Sequence, residues 1–125
     1  MQLTDLETAV IESMLADKDV PAHELELRPE AVIVRSRKLT GVGFLTELQR
    51  SPQLKLFSDG VVMRWGRVGA RLNATRIETG YLVYVDDGYL AAIEGYTYGD
   101  EWPDTVAEFE LYDLVPGTEL ENPPR

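Results

Sequence analysis

The sequence has no cysteine and a single histidine, His23. The first absence excludes disulfides and thiolate zinc sites, and it fits a reducing compartment. Together the two exclude metal sites built on histidine or cysteine, so no metal or other cofactor is expected. A serine hydrolase would have to bring His23 within hydrogen-bond reach of one of four serines. The pattern instead makes His23 an exposed residue of a short helix. Long apolar runs are also missing: none approaches the ~20 residues that span a bilayer. Met1-Gln2-Leu3-Thr4-Asp5 lacks the basic start and apolar stretch of a signal peptide. The expectation is a cytoplasmic protein with no membrane partner. Basic residues are scarce, 12 against 22 acidic, giving a net charge of −10. Free nucleic acid is therefore excluded as the expected partner, because phosphate neutralisation supplies most non-specific affinity.

What is present suffices for one folded unit. The 125 residues are 44% apolar and 27% charged, enough for a core burying roughly two-thirds of the unfolded surface. We read residues 1–115 as a single domain and 116–125, with Pro123-Pro124, as a flexible tail. Charge is segregated along the chain: residues 1–27 carry net −6, residues 28–76 net +7 and residues 77–125 net −11. Either the basic middle pairs with its acidic flanks inside the fold, or the surface has separate faces that steer partners.

Local patterns place the elements. Thr4 and Glu7 have the spacing of a capping box, and Leu6, Val10 and Met14 recur every four residues, which predicts a first helix. Pro21 can open a second, short helix that Pro29 closes. The period then changes to that of strands. Residues 31–37 and 44–48 flank the turn Thr40-Gly41-Val42-Gly43. Residues 61–63 and 68–72 read more weakly, because Gly66 and Gly69 lower strand propensity. Asp86-Asp87-Gly88 joins two apolar runs as a hairpin of the type I′ kind, and Ala107–Tyr112 makes a last strand. Two helices before about five strands predict an α+β fold, the helices on one face of a mostly antiparallel sheet.

Two clusters carry candidate chemistry. Arg64-Trp65-Gly66-Arg67 with Arg71 puts arginine and tryptophan on opposite faces of a strand, one a basic patch and the other core. Glu94 through Pro103 holds Tyr96, Tyr98, Trp102, Asp100 and Glu101 in a loop. Aromatics there either anchor a partner or fold back to seal the sheet. The carboxylates at Asp86-Asp87 and at Asp100, Glu101 and Asp104 lack calcium-loop spacing and read as solvated turn residues.

Thr40-Gly41-Val42-Gly43-Phe44, the Asp87-Gly88 hairpin and Glu94-Gly95-Tyr96-Thr97-Tyr98-Gly99-Asp100-Glu101-Trp102-Pro103 together resemble a family of small bacterial proteins. That family shows a TGxGF turn, an apolar strand with DG, and an EGYTYGDExWP motif. The resemblance runs from Leu3 to Leu111. It implies a cytosolic bacterial protein with no established activity, and it carries no catalytic residue across. The residues themselves favour a non-enzymatic, immunity- or inhibitor-like module that binds a protein with a basic surface. Its contacts would be Trp102, Asp100, Glu101, Tyr96 and Tyr98, with Arg64, Arg67 and Arg71. The alternative is a small-ligand, anion-binding or enzymatic domain using Glu94 with Arg64 or Arg71 and Tyr96 or Tyr98. Neither reading fixes an oligomeric state.

Overall fold

The computed structural model describes residues 1–20, 22 and 27–114. Among them there is one α-helix, α1 (Asp5–Ala16). Seven strands follow: β1 (Val34–Leu39), β2 (Gly43–Leu48), β3 (Met63–Trp65), β4 (Val68–Leu72), β5 (Ile77–Asp86), β6 (Tyr89–Thr97) and β7 (Phe109–Asp113). They form one antiparallel sheet in the order β1-β2-β6-β5-β4-β7, with β3 also paired to β5.

The architecture is mostly β and corrects the expectation of two helices on about five strands. The second helix was expected around Pro21 and His23, and residues 21 and 23–26 lie outside the described residues. Pro29 opens a single 3-10 turn, Pro29–Ala31, and β1 starts at Val34 rather than at residue 31. The expected tail at 116–125 also lies outside the described residues.

The glycines that weakened two strand patterns are used by the sheet. Trp65 sits opposite Val83 and Gly69 opposite Gly80, so the chain between β3 and β4 carries one residue more than its partner. Gly66 occupies this bulge, where a Cβ would come within 2.6 Å of the Leu82 side chain. Gly69 and Gly80 face each other on the outer side of the sheet. The rings of Tyr112 and Tyr96 lie over them, within 2.8 and 2.6 Å of where their Cβ atoms would be. The tyrosines supply the packing that the glycines lack.

The core lies between α1 and the inner face of the sheet. Leu6, Val10, Ile11 and Met14 form the buried stripe of α1. Alternate residues of β5, Tyr81, Val83 and Val85, meet it, with Leu90 and Ile93 of β6, which a register shift in the hairpin brings to the same face. Polar bonds tie the helix at both ends. At its start Thr4 and Glu7 form the expected capping box. At its end Asp17 accepts from the Trp65 indole N–H at 2.9 Å, and Arg67 bridges to Asp17 and Asp19. The Trp65 bond, with the Asp19 N–H and Arg67 behind it, holds the Asp17 carboxyl below its usual 3.8. The β5–β6 hairpin turns as the Asp-Gly pair requires, Asp87 at φ 49° and Gly88 at φ 80°.

Candidate functional site

The two sequence motifs meet at one end of the sheet. The 40–43 turn and the segment after β6 run side by side: the Thr97 N–H donates to the Val42 carbonyl at 2.8 Å, and the Trp102 N–H to the Gly41 carbonyl at 2.9 Å. The Thr97 hydroxyl closes the loop onto the Asp100 carbonyl. Further along, Asn73 in a left-handed conformation (φ 62°) donates to the Thr105 carbonyl and accepts from the Ala107 and Glu108 N–H groups. The segment from Tyr98 to Glu108 is thus pinned at both ends and presents a fixed surface.

Trp102 is half-buried rather than a free anchor. Its ring packs edge-on against Phe44 at 5.1 Å and Tyr81 at 6.4 Å, and so seals this end of the core. Gly95 stands directly across from Phe44, and a Cβ there would lie 2.3 Å from the phenyl ring. Leu39, which lines the surface beside the indole, is 74% exposed, and Val42, next in the chain to the Gly41 carbonyl that Trp102 binds, is 54% exposed. Asp100, Glu101 and Asp104 point into solvent and make no ion pair among the described residues.

A cleft of about 510 Å³ opens beside this patch, between the start of α1 and residues 102–107. Its floor is apolar, with Phe44, Trp102, Leu39 and Phe109, and its rim carries Asp5 and Asp104. One wall is a buried polar cluster. Glu7, 1% exposed, accepts from Arg37 at 2.6 and 2.9 Å and from the Thr46 hydroxyl. Arg37 also reaches the Gln2 carbonyl and the Met1 sulfur.

The other expected site residues are distributed elsewhere. Tyr96 is buried over Gly80 on the outer face, and Tyr98, half-exposed, packs edge-on against it at 5.6 Å. Arg71 pairs with Glu78 and Glu110 and stacks on Tyr112. Burial, then the Glu78 bond, pushes the Tyr112 hydroxyl well above its ordinary range. Arg64 faces outward opposite Tyr84 on β5, away from the aromatic loop. Glu94 accepts from the Tyr84 hydroxyl at 2.6 Å in a shallow, open depression with Leu45, Glu47 and Ala92. The sheet register separates Arg71 from Glu94: Arg71, on β4, faces Glu78, whereas Glu94, two strands away on β6, faces Leu82 further along β5.

Sequence reasoning found the acidic–aromatic loop but not its neighbours Leu39, Val42 and Asp5, nor the Arg37–Thr46 wall. The strand read over residues 31–37 stopped short of Leu39, which β1 places two residues on from Arg37 and on the same face. Nothing in the pattern said which strand end stays open. Among the described residues no cluster of three or more acidic or histidine side chains is arranged to hold a metal ion. Asp86 pairs with Arg50, and Asp87 accepts from the Gly60 N–H. No described helix is long and apolar enough to cross a membrane. No family model, no curated protein and no solved structure matches the chain.

Proposed function

We propose that this protein is a non-enzymatic binding module of the inhibitor or immunity type, which holds a basic partner protein against the acidic, aromatic end of its sheet in the cytoplasm. The observation that carries the reading is an asymmetry in how charges are satisfied. Seven of the eleven described Lys and Arg side chains, Arg35, Arg37, Arg50, Lys55, Arg67, Arg71 and Arg76, are paired with carboxylates of the same chain, and Lys18, Arg28, Lys38 and Arg64 make no ion pair among the described residues. Asp100, Glu101 and Asp104 are left facing solvent on a pinned loop around exposed apolar side chains. A rigid apolar centre with a charged rim is the arrangement of a protein interface, and unpaired carboxylates raise the association rate of a basic partner.

The resemblance to the bacterial TGxGF and EGYTYGDExWP proteins belongs to the same proposal, since the residues that carry it build this end of the sheet. The ligand-binding alternative loses support from the shallow seat of Glu94 and from the commitment of Arg71 to other carboxylates.

The test is affinity capture of the folded protein from its native cell at about 50 and 500 mM salt, with mass spectrometry of what is retained. One basic protein should be held at low salt and released at high salt. The Val42→Asp variant and the Asp100→Asn/Glu101→Gln/Asp104→Asn variant, both checked by circular dichroism, should each lose it. Equal retention by wild type and both variants would overturn the reading.

A further inference from the structure

We infer that the cleft between the start of α1 and residues 102–107 seats a lysine or arginine side chain, carried by an extended segment of the partner whose neighbouring residues are apolar. The inference rests on the protein-binding reading and names what that partner presents.

The cleft sorts ligands by charge. Arg37 is the cation on its wall, and each of its three side-chain nitrogens already donates: Nε to Glu7 and Thr46, Nη1 to the Met1 sulfur, Nη2 to Glu7 and the Gln2 carbonyl. An anion would find one uncommitted N–H, on Nη1, and a charge already neutralised by Glu7. Nor does the start of α1 offer one strongly. Thr4 caps the Glu7 N–H, and the first turn carries Asp5 and Glu7, which offset the helix dipole. The charges left facing the cleft are those of Asp5 and Asp104, both exposed and without an ion pair among the described residues. They attract a cation.

The floor adds a second selection. Trp102 and Phe44 meet at 72°, so a cation on the indole face gains from the ring quadrupole while its aliphatic stem covers the phenyl edge. Leu39, 74% exposed, and Phe109 continue the apolar surface beyond that point. A lone ammonium ion would not use them. At about 510 Å³ the cleft lies within the ~300–1,000 Å³ of small-ligand sites, room for a basic side chain and part of its neighbours.

The experiment uses the full chain, isotopically labelled, and two probes, acetyl-Leu-Arg-Leu-amide and acetyl-Leu-Glu-Leu-amide, followed by amide and indole N–H resonances. The basic peptide should move the Trp102 indole and the Asp5, Leu6 and Thr105 amides with a Kd of about 1 mM, the weak end expected for so small a ligand. The acidic peptide should not. Asp5→Asn/Asp104→Asn, which removes exposed charges only, should weaken the basic peptide at least about fivefold, as two partly exposed ion pairs allow. The Trp65 indole, buried on the far side of the sheet's inner face, serves as the internal reference. Equal shifts from both peptides, shifts only outside the cleft, or an unchanged Kd in the double variant would overturn the inference. Because no partner protein takes part, this failure is distinct from failure of the capture experiment.

Discussion

Replacing Glu7 tests the polar joint between helix and sheet. Its carboxylate, 1% exposed, receives both Arg37 bonds, the Thr46 hydroxyl and the Thr4 N–H. Glu7→Ala removes all four acceptor contacts at once. The lost half of the capping box costs about 0.5–1 kcal/mol. The larger loss is the stranded guanidinium, since breaking a buried pair by deleting one partner costs ~3–5 kcal/mol. The Arg37 side chain keeps 21% exposure, so water recovers part of its solvation and the lower figure applies. The total is about 3–4 kcal/mol, a large share of the ~5–15 kcal/mol typical of a domain. Arg37→Ala should cost about as much, because it strands the more deeply buried member. Glu7→Leu with Arg37→Met should cost less than either single change, since no charge is then left unpaired. The assay is urea unfolding followed by tryptophan fluorescence, with the m-value held constant across variants. A Glu7→Ala loss below ~1 kcal/mol, or a double variant that is the sum of the singles, would refute the reasoning.

Three further outcomes are expected. Gly88→Val should destabilise by ~2 kcal/mol or more, because it forces a β-branched residue to φ 80° and puts its Cβ 2.6 Å from the Phe57 and Ser58 carbonyls; thermal unfolding reads this, and a neutral result would mean a different turn. Gly95→Ala should cost ~2 kcal/mol by displacing the Phe44 ring, and near-ultraviolet circular dichroism should show Trp102 losing its fixed environment. Asp17 has a folded-state pKa below 3.8, so its stabilisation is present above about pH 4 and is lost as the pH falls through the folded value. Wild type should therefore exceed Asp17→Asn by about 1 kcal/mol at pH 6, and the difference should shrink steadily as the pH falls below about 4, measured by urea unfolding at each pH.

The hairpin, the capping box and the facing of Arg64 and Trp65 were legible because each depends on residues adjacent in sequence. Asp87-Gly88 asks for positive φ, and Thr4 and Glu7 are one turn apart. The number of strands was not, because Gly66 and Gly69 weaken a strand only when nothing covers them, and the covering ring of Tyr112 comes from far along the chain. The second helix was inferred from Pro21 and Pro29, yet Pro29 is equally suited to the 3-10 turn it forms. For the site, the acidic–aromatic loop stood out in composition. That Trp102 would turn inward followed from Phe44 and Tyr81 meeting beside it, which only strand order decides.

The polar ties of α1 bear on the order in which the chain assembles. Glu7 binds partners 30 and 39 residues away, and Asp17 reaches Trp65, 48 residues on. A short helix of twelve residues gains little stability alone. As the chain emerges N-terminus first, Leu6, Val10, Ile11 and Met14 have no surface to cover until β5 and β6 have paired. The helix is made before the sheet that receives it, and the contacts that seat it close long loops, so changes at Glu7 or Asp17 should accelerate unfolding more than they slow refolding. Until then its apolar stripe is open to misassociation.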